Sequence, residues 1–213
     1  MTRPMFAVEK LSPILLLLSV AACSGGDKKS NDGPDAAPSA DAAPAFDAAP
    51  QGLACATVSN YGDQGVLTGD VLSDTTAGMG YLSIGNVLDQ GPPVDIFAVE
   101  LFEGYPPFEA GITTGTFPIT GAQTNYADCG TCVMLFADST QDGAAMIYIA
   151  QSGTVNVTSV EGNFTGSFVP DGETTMMVGQ EPNSGTMTFD PRTDCTVTGG
   201  GATWDKAIPP ATP

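Results

Sequence analysis

Histidine is absent from all 213 residues. That excludes Ser-His-Asp and Cys-His nucleophilic catalysis, together with histidine-ligated zinc and copper. Basic side chains are nearly as scarce. Beyond residue 51 only Arg192 and Lys206 stand against 18 Asp and Glu, a formal charge of −16. Nucleic acid is therefore not an expected partner, because neutralising its phosphates takes clustered Lys and Arg. Anionic lipid headgroups are disfavoured for the same reason. No apolar run reaches the roughly 20 residues of a membrane-spanning helix, and no segment carries an apolar stripe of 3.6-residue period.

What is present begins with a leader. Arg3 and Lys10 precede an apolar, leucine-crowded stretch from Leu11 to Ala22, the profile of a secretory signal peptide. Val20, Ala21, Ala22 and Cys23 resemble the lipobox of bacterial lipoproteins. The resemblance implies diacylglycerol on the Cys23 sulfur, cleavage before it, and anchoring by more than one acyl chain at about 0.8 kcal/mol per buried methylene. Ser24 resembles the outer-membrane sorting class, which implies an outer-membrane lipoprotein facing the periplasm or the cell surface. The alternative is a secreted protein cleaved near Ala22. Cysteine parity favours lipidation: of five cysteines, modifying Cys23 leaves four.

Asp-Ala-Ala-Pro then occurs at Asp35, Asp41 and Asp47, a six-residue period. Proline at that frequency forbids a continuous helix, and the few large apolar side chains cannot offset the entropy of ordering. The expectation is an extended tether reaching at most about 85 Å at ~3.1 Å per residue. Domain organisation follows: signal peptide 1–22, lipidated cysteine and disordered tether 23–51, and one domain over 52–213. Such tethers resemble those of uncharacterised predicted lipoproteins of large-genome predatory and social Gram-negative bacteria. "NYADCGTCVMLFAD" and "YIAQSGTVNVTSVEGNFTGSF" resemble the body of one such family.

The remaining residues read as all-β. In "TVNVTSV", Val155 and Val157 share one face while Asn156 and Thr158 share the other, and "TMTFD" alternates likewise. "VDIFAVELF" and "CVMLFA" are apolar on both faces and suit central strands. A hydroxyl residue followed by glycine recurs at Thr68-Gly69, Thr114-Gly115, Ser152-Gly153, Thr165-Gly166 and Ser184-Gly185, read as turns or bulges at strand starts. The spacing predicts an antiparallel sandwich of about ten short strands, or alternatively a closed or partly closed barrel. Trp204 reads as a buried partner of the last strand. Asn156 and Asn163, although each begins an Asn-X-Thr triplet, fit strand alternation rather than glycosylation.

The remaining cysteines allow three pairings; the preferred one joins Cys55 to Cys195, tying the first strand to one of the last, and Cys129 to Cys132. Cys129-Gly-Thr-Cys132 has redox-motif spacing, but "CVMLFAD" reads as a strand where a thioredoxin-like site needs a helix, so a structural role is expected. Asp95, Glu100, Glu103 and Glu109 could supply a glycosidase-type carboxylate pair, although sequence proximity alone says little about facing geometry. Asp138 and Asp142, beside Gly143, are the best calcium candidates but lack EF-hand spacing. In "FEGYPPFEAG", Phe102, Tyr105 and Phe108 form either a contact loop or a plug over the core. The functional expectation is a non-catalytic, membrane-anchored β domain without cofactor, binding an envelope or extracellular glycan or protein. The alternatives are a carboxylate-based carbohydrate enzyme and a barrel carrying a small apolar ligand.

Overall fold

The computed structural model describes residues 54–56, 61–74, 80–89, 93–140, 144–183 and 188–210. The lipobox with Cys23, the tether, Asp142 with Gly143, and the Ser184-Gly185 pair lie outside the described residues.

The described strands are β1 (Gly65–Val66), β2 (Leu72–Asp74), β3 (Tyr81–Val87), β4 (Val94–Phe102), β5 (Gly115–Pro118), β6 (Thr131–Ser139), β7 (Met146–Ala150), β8 (Thr154–Glu161), β9 (Asn163–Val169), β10 (Thr175–Asn183), β11 (Thr188–Gly199) and β12 (Ala202–Ala207). They form two sheets, β1-β12-β9-β8-β5 and β11-β10-β7-β6-β4-β3-β2. All pairings are antiparallel except β1 with β12. The fold is a β-sandwich; neither sheet closes, which corrects the barrel alternative. Twelve strands stand where about ten were expected, because β1 and β2 are too short to carry a pattern. Among the described residues no helix is long and apolar enough to cross a membrane.

Alternation builds the five-stranded sheet: Val155, Val157, Phe164, Phe168, Ala202 and Trp204 point into the sandwich and are buried. Against them pack Phe97, Val99, Leu101, Val133, Leu135 and Tyr148 of the seven-stranded sheet. The outer face of that larger sheet is covered as well. Ala98, Met134, Phe136, Ile147 and Ile149 form a second core with Tyr126 and Cys129, both from the 119–130 connection. This explains why β4 and β6 are apolar on both faces: each separates two cores.

Thr165-Gly166 lies inside β9, opposite the β8 bulge between Val157 and Ser159, so the bulge reading holds there and the strand-start placement is corrected. Gly166 is paired with Trp204, and a Cβ there would come 2.6 Å from the indole Cζ2. The glycine is a seat for the tryptophan, whose ring packs 5.4 Å from that of Phe164.

Candidate recognition face on the five-stranded sheet

Two of the four candidate carboxylates, Asp95 and Glu100, are too far apart to act as a pair. Asp95 and Glu100 are both on β4, five residues apart and so about 16 Å along an extended strand, beyond the ~5–10 Å that glycosidases use. Each has a packing role. Asp95 is buried and accepts the Tyr61 hydroxyl on Oδ2 and the Asp138 N–H on Oδ1 at 2.8 Å, which pins the N-terminal segment to the start of β4. Glu100 is buried on the outer face and accepts the Tyr81 hydroxyl at 2.9 Å. Burial, then the Glu100 charge, pushes the Tyr81 phenol well up. Glu103 accepts the Gly80 N–H at 2.7 Å, while Glu109 is exposed.

Cys55 is bonded to Cys195 and Cys129 to Cys132, with Cα separations of 5.3 and 5.5 Å. Cys55 precedes β1 rather than belonging to a strand, which corrects that detail. The β10–β11 register jumps from Thr196 to Arg192, so Cys195 sits in a bulge of β11, where it meets the incoming chain. Arg192 clamps that bulge, donating Nε and Nη2 to Asp194 at 2.9 and 2.8 Å and Nη1 to Glu181. One of the two cations of the domain is thereby engaged internally. Cys129 and Cys132 are fully buried and Cys132 lies in β6, so neither sulfur is accessible to a thiol in this fold.

The aromatic loop turns inward, against its contact reading. Phe108 is fully buried, edge-on to Phe117 at 4.7 Å, and Phe102 stacks 5.0 Å from Tyr81. Tyr105 is half-buried. The Pro106 carbonyl accepts from Gly130 N–H at 3.0 Å and Gln123 Nε2 at 2.8 Å, tying this loop to the Cys129–Cys132 turn. Asp138 gathers no group of three ligands; among the described residues the one such group is Cys55, Asp194 and Cys195, whose sulfurs are bonded to each other.

One broad surface left uncovered is the outer face of the five-stranded sheet. Register places Thr116, Asn156, Ser167, Thr203 and Val66 in one row across β5, β8, β9, β12 and β1. At ~4.8 Å per strand this row spans about 19 Å. Pro118, Thr154 and Val169 form the next row, and neither row carries a charge. Cross-strand bonds fix these side chains: Thr116 Oγ1 donates to Asn156 Oδ1 at 2.9 Å, and Asn156 Nδ2 to Ser167 Oγ at 3.5 Å. In the adjoining row, Asp205 Oδ1 accepts at 2.8 Å from Thr165 Oγ1 beside it and from Asn163 Nδ2 of the row beyond, which also holds Glu161. Those bonds, that from Asn163 foremost, hold the Asp205 carboxyl below its ordinary pKa.

At the β1-β12-β9 end the face dips into an open depression of about 320 Å³. Val66, Val169 and Pro170 form its apolar sides, Ser167 and Thr203 bring hydroxyls, and Asp63 stands at its rim. Val66 and Val169 are 63% and 52% exposed, the largest apolar exposures on this face. A side chain at Gly201 would crowd the Phe168 carbonyl, at 3.2 Å from the new Cβ, and Pro170. Sequence reading grouped Asn156 with Thr158 on one face but missed the depression. It is assembled from β1, β9 and β12, and its only sequence signal is serine and threonine at the outward positions Ser167 of β9 and Thr203 of β12. No protein-family model, curated protein or solved structure matches this chain.

Proposed function

We propose that the chain is a lipid-anchored envelope lipoprotein whose β domain binds a partner, without catalysis, through the free face of the five-stranded sheet. The observation that carries this reading is the asymmetry of the sandwich. The central strands of the seven-stranded sheet, β4, β6 and β7, are buried on both faces, whereas the five-stranded sheet buries one and leaves on the other an array of two uncharged, cross-braced rows beside the row that carries Asp205. The array stands out on a domain of formal charge −16, where an uncharged surface lets a partner approach with little charged-group desolvation. The lipobox at Cys23 and the Asp-Ala-Ala-Pro tether supply the membrane attachment and the reach, at the outer membrane and facing either the periplasm or the cell surface. Binding is the favoured role because the domain lacks histidine, the buried carboxylates Asp95 and Glu100 are far apart and engaged by tyrosine hydroxyls, and its cysteines are sealed or bonded.

Two measurements test this. Cys23→Ser is expected to move the protein from the detergent phase to the aqueous phase in a cloud-point partition; unchanged partition would refute the lipid anchor. Purified protein is expected to be retained on isolated cell envelopes, and the Thr116→Arg/Thr203→Arg variant to lose that retention. Met176→Arg, at an exposed position of the other sheet, is the control expected to keep it. Equal retention of all three proteins, or none by the unsubstituted one, would refute the face.

A further inference from the structure

Resting on that reading of the face, we infer that the depression beside Thr203 is a subsite for a sugar ring of a neutral glycan laid across the strands. A pyranose presents apolar C–H faces and a rim of hydroxyls, each both donor and acceptor. The depression offers the complement: Val66, Val169 and Pro170 for the C–H face, the Ser167 hydroxyl, which accepts from Asn156 and has its proton to donate, the Thr203 hydroxyl, which donates to the Gly65 carbonyl at 3.4 Å and has its oxygen to accept, and the acceptor-only carboxylate of Asp63. Asp63 Oδ1 is held by the Gly65 N–H at 2.8 Å, which orients the group for a hydroxyl donor. The volume of about 320 Å³ lies at the low end of small-molecule sites.

Charge narrows the class. An acidic sugar would meet Asp63 on a domain of formal charge −16, with no basic side chain among those lining the depression. A neutral sugar meets no such repulsion. A basic peptide could pair with Asp63, but the uncharged row running on through Ser167, Asn156 and Thr116 offers its other charges nothing, and Asp205 in the adjoining row is already engaged by Asn163 and Thr165. That same row continues the site for further sugar units, with side chains braced by the Thr116–Asn156 and Asn156–Ser167 bonds, so little rotamer entropy is lost on contact. No aromatic side chain lies in the row or in the exposed lining, so single-site affinity is expected to be weak, in the millimolar range. Many tethered copies on one membrane would turn it into avidity.

The test uses the full-length protein in detergent micelles, titrated with cellohexaose, maltohexaose and chitohexaose as neutral probes. Hexagalacturonate and hexalysine serve as the acidic and basic ones. Trp204 is the chain's single tryptophan and adjoins Thr203 in β12, so its emission can be followed alongside calorimetry. Saturable binding of at least one neutral hexamer is expected, with hexagalacturonate inert. Binding should weaken about tenfold or more in Val66→Asp and in Ser167→Ala/Thr203→Ala, a loss of about 1.4 kcal/mol. Near-ultraviolet dichroism of these exposed-face variants, matching that of the parent, keeps loss of folding apart from loss of the site. Failure of every neutral hexamer to saturate, unchanged affinity in the variants, or preference for hexalysine would each overturn the assignment. Envelope retention that is lost in Thr116→Arg/Thr203→Arg while no hexamer binds would overturn the glycan and leave the face standing. No envelope retention at all would remove both.

Discussion

Removing the Cys55–Cys195 bond should cost more than any other single change that leaves the core composition intact. The bond spans 140 residues, nearly the whole domain. In the chain-entropy description, closing a loop of that length restricts the unfolded ensemble by about 5 kcal/mol, whereas the three-residue Cys129–Cys132 separation is worth only about 2 kcal/mol. Cys55→Ser is the cleaner perturbation, because Cys55 is exposed while Cys195 is buried and as a free thiol still fills its site. Equilibrium urea unfolding should report a loss of about 5 kcal/mol, and thermal unfolding a fall of roughly 10–20 °C for a domain of this size. The loss should also have a location. Among the described residues before β1, the incoming chain is otherwise held by Tyr148 O–H to the Ala56 carbonyl at 3.1 Å, Tyr61 N–H to the Thr198 carbonyl at 2.9 Å, the Tyr61 hydroxyl to Asp95 and Gln64 N–H to the Gly201 carbonyl at 2.7 Å. Amide exchange at Gly65, Val66 and Leu67 should therefore accelerate in Cys55→Ser well before that of β4 and β6. A loss below about 1 kcal/mol, or exchange that rises evenly across both sheets, would refute the reasoning.

Gly166→Ala should destabilise by about 1–3 kcal/mol through overpacking, since the new Cβ would press on the Asn156 carbonyl and the Trp204 ring; denaturant midpoints check it, and an unchanged midpoint with unchanged Trp204 emission would contradict the seat. Alkali should unfold the domain through its tyrosines. Burial raises the phenol pKa of Tyr61, Tyr81 and Tyr148, with Asp95, Glu100 and Asp138 adding to the respective shifts. A raised folded value means stability that is intact below the ordinary phenol value near 10 and is lost as pH climbs toward the folded values. Absorbance at 295 nm should show these three ionising together with the loss of circular dichroism; their free titration near pH 10 in a still-folded protein would be the contrary result.

Much of the sandwich is legible in the sequence where one face meets water. Val155 and Val157 against Asn156 and Thr158 write β8 directly, and Ala202 and Trp204 against Thr203 and Asp205 write β12. Legibility ends where context replaces pattern. β1 is two residues long and exists because the chain, tied at Cys195, is laid alongside β12; no local preference marks it. Thr165-Gly166 looks like turn chemistry, yet the glycine is demanded by an indole 38 residues away, and only pairing reveals that. The aromatic loop is ambiguous in sequence because a plug and a contact surface use the same residues; the partners Phe117 and Tyr81 decide it for Phe108 and Phe102. Asp63, Ser167 and Thr203 are ordinary residues in sequence and become a site only because register brings them together.

Connection lengths account for the bare face. The outer side of the seven-stranded sheet is sealed by residues 119–130, the chain between β5 and β6, which brings Tyr126 and Cys129 over Met134 and Ile149. The long described connections that meet the five-stranded sheet at β5 run elsewhere: 103–114 sends Phe108 into the core, and 119–130 crosses the other sheet. Only Gly162 separates β8 from β9, and Gly200 with Gly201 separates β11 from β12. Spans that short reverse the chain but cannot cross a sheet. The face therefore had to be built for water, and Thr, Asn and Ser at alternate positions meet that requirement while their mutual hydrogen bonds limit side-chain freedom. A surface selected for solvation alone would also tolerate the charges that dominate the rest of this acidic domain. Their absence from the two rows beside the depression is the feature that solvation leaves unexplained and that an uncharged partner would explain.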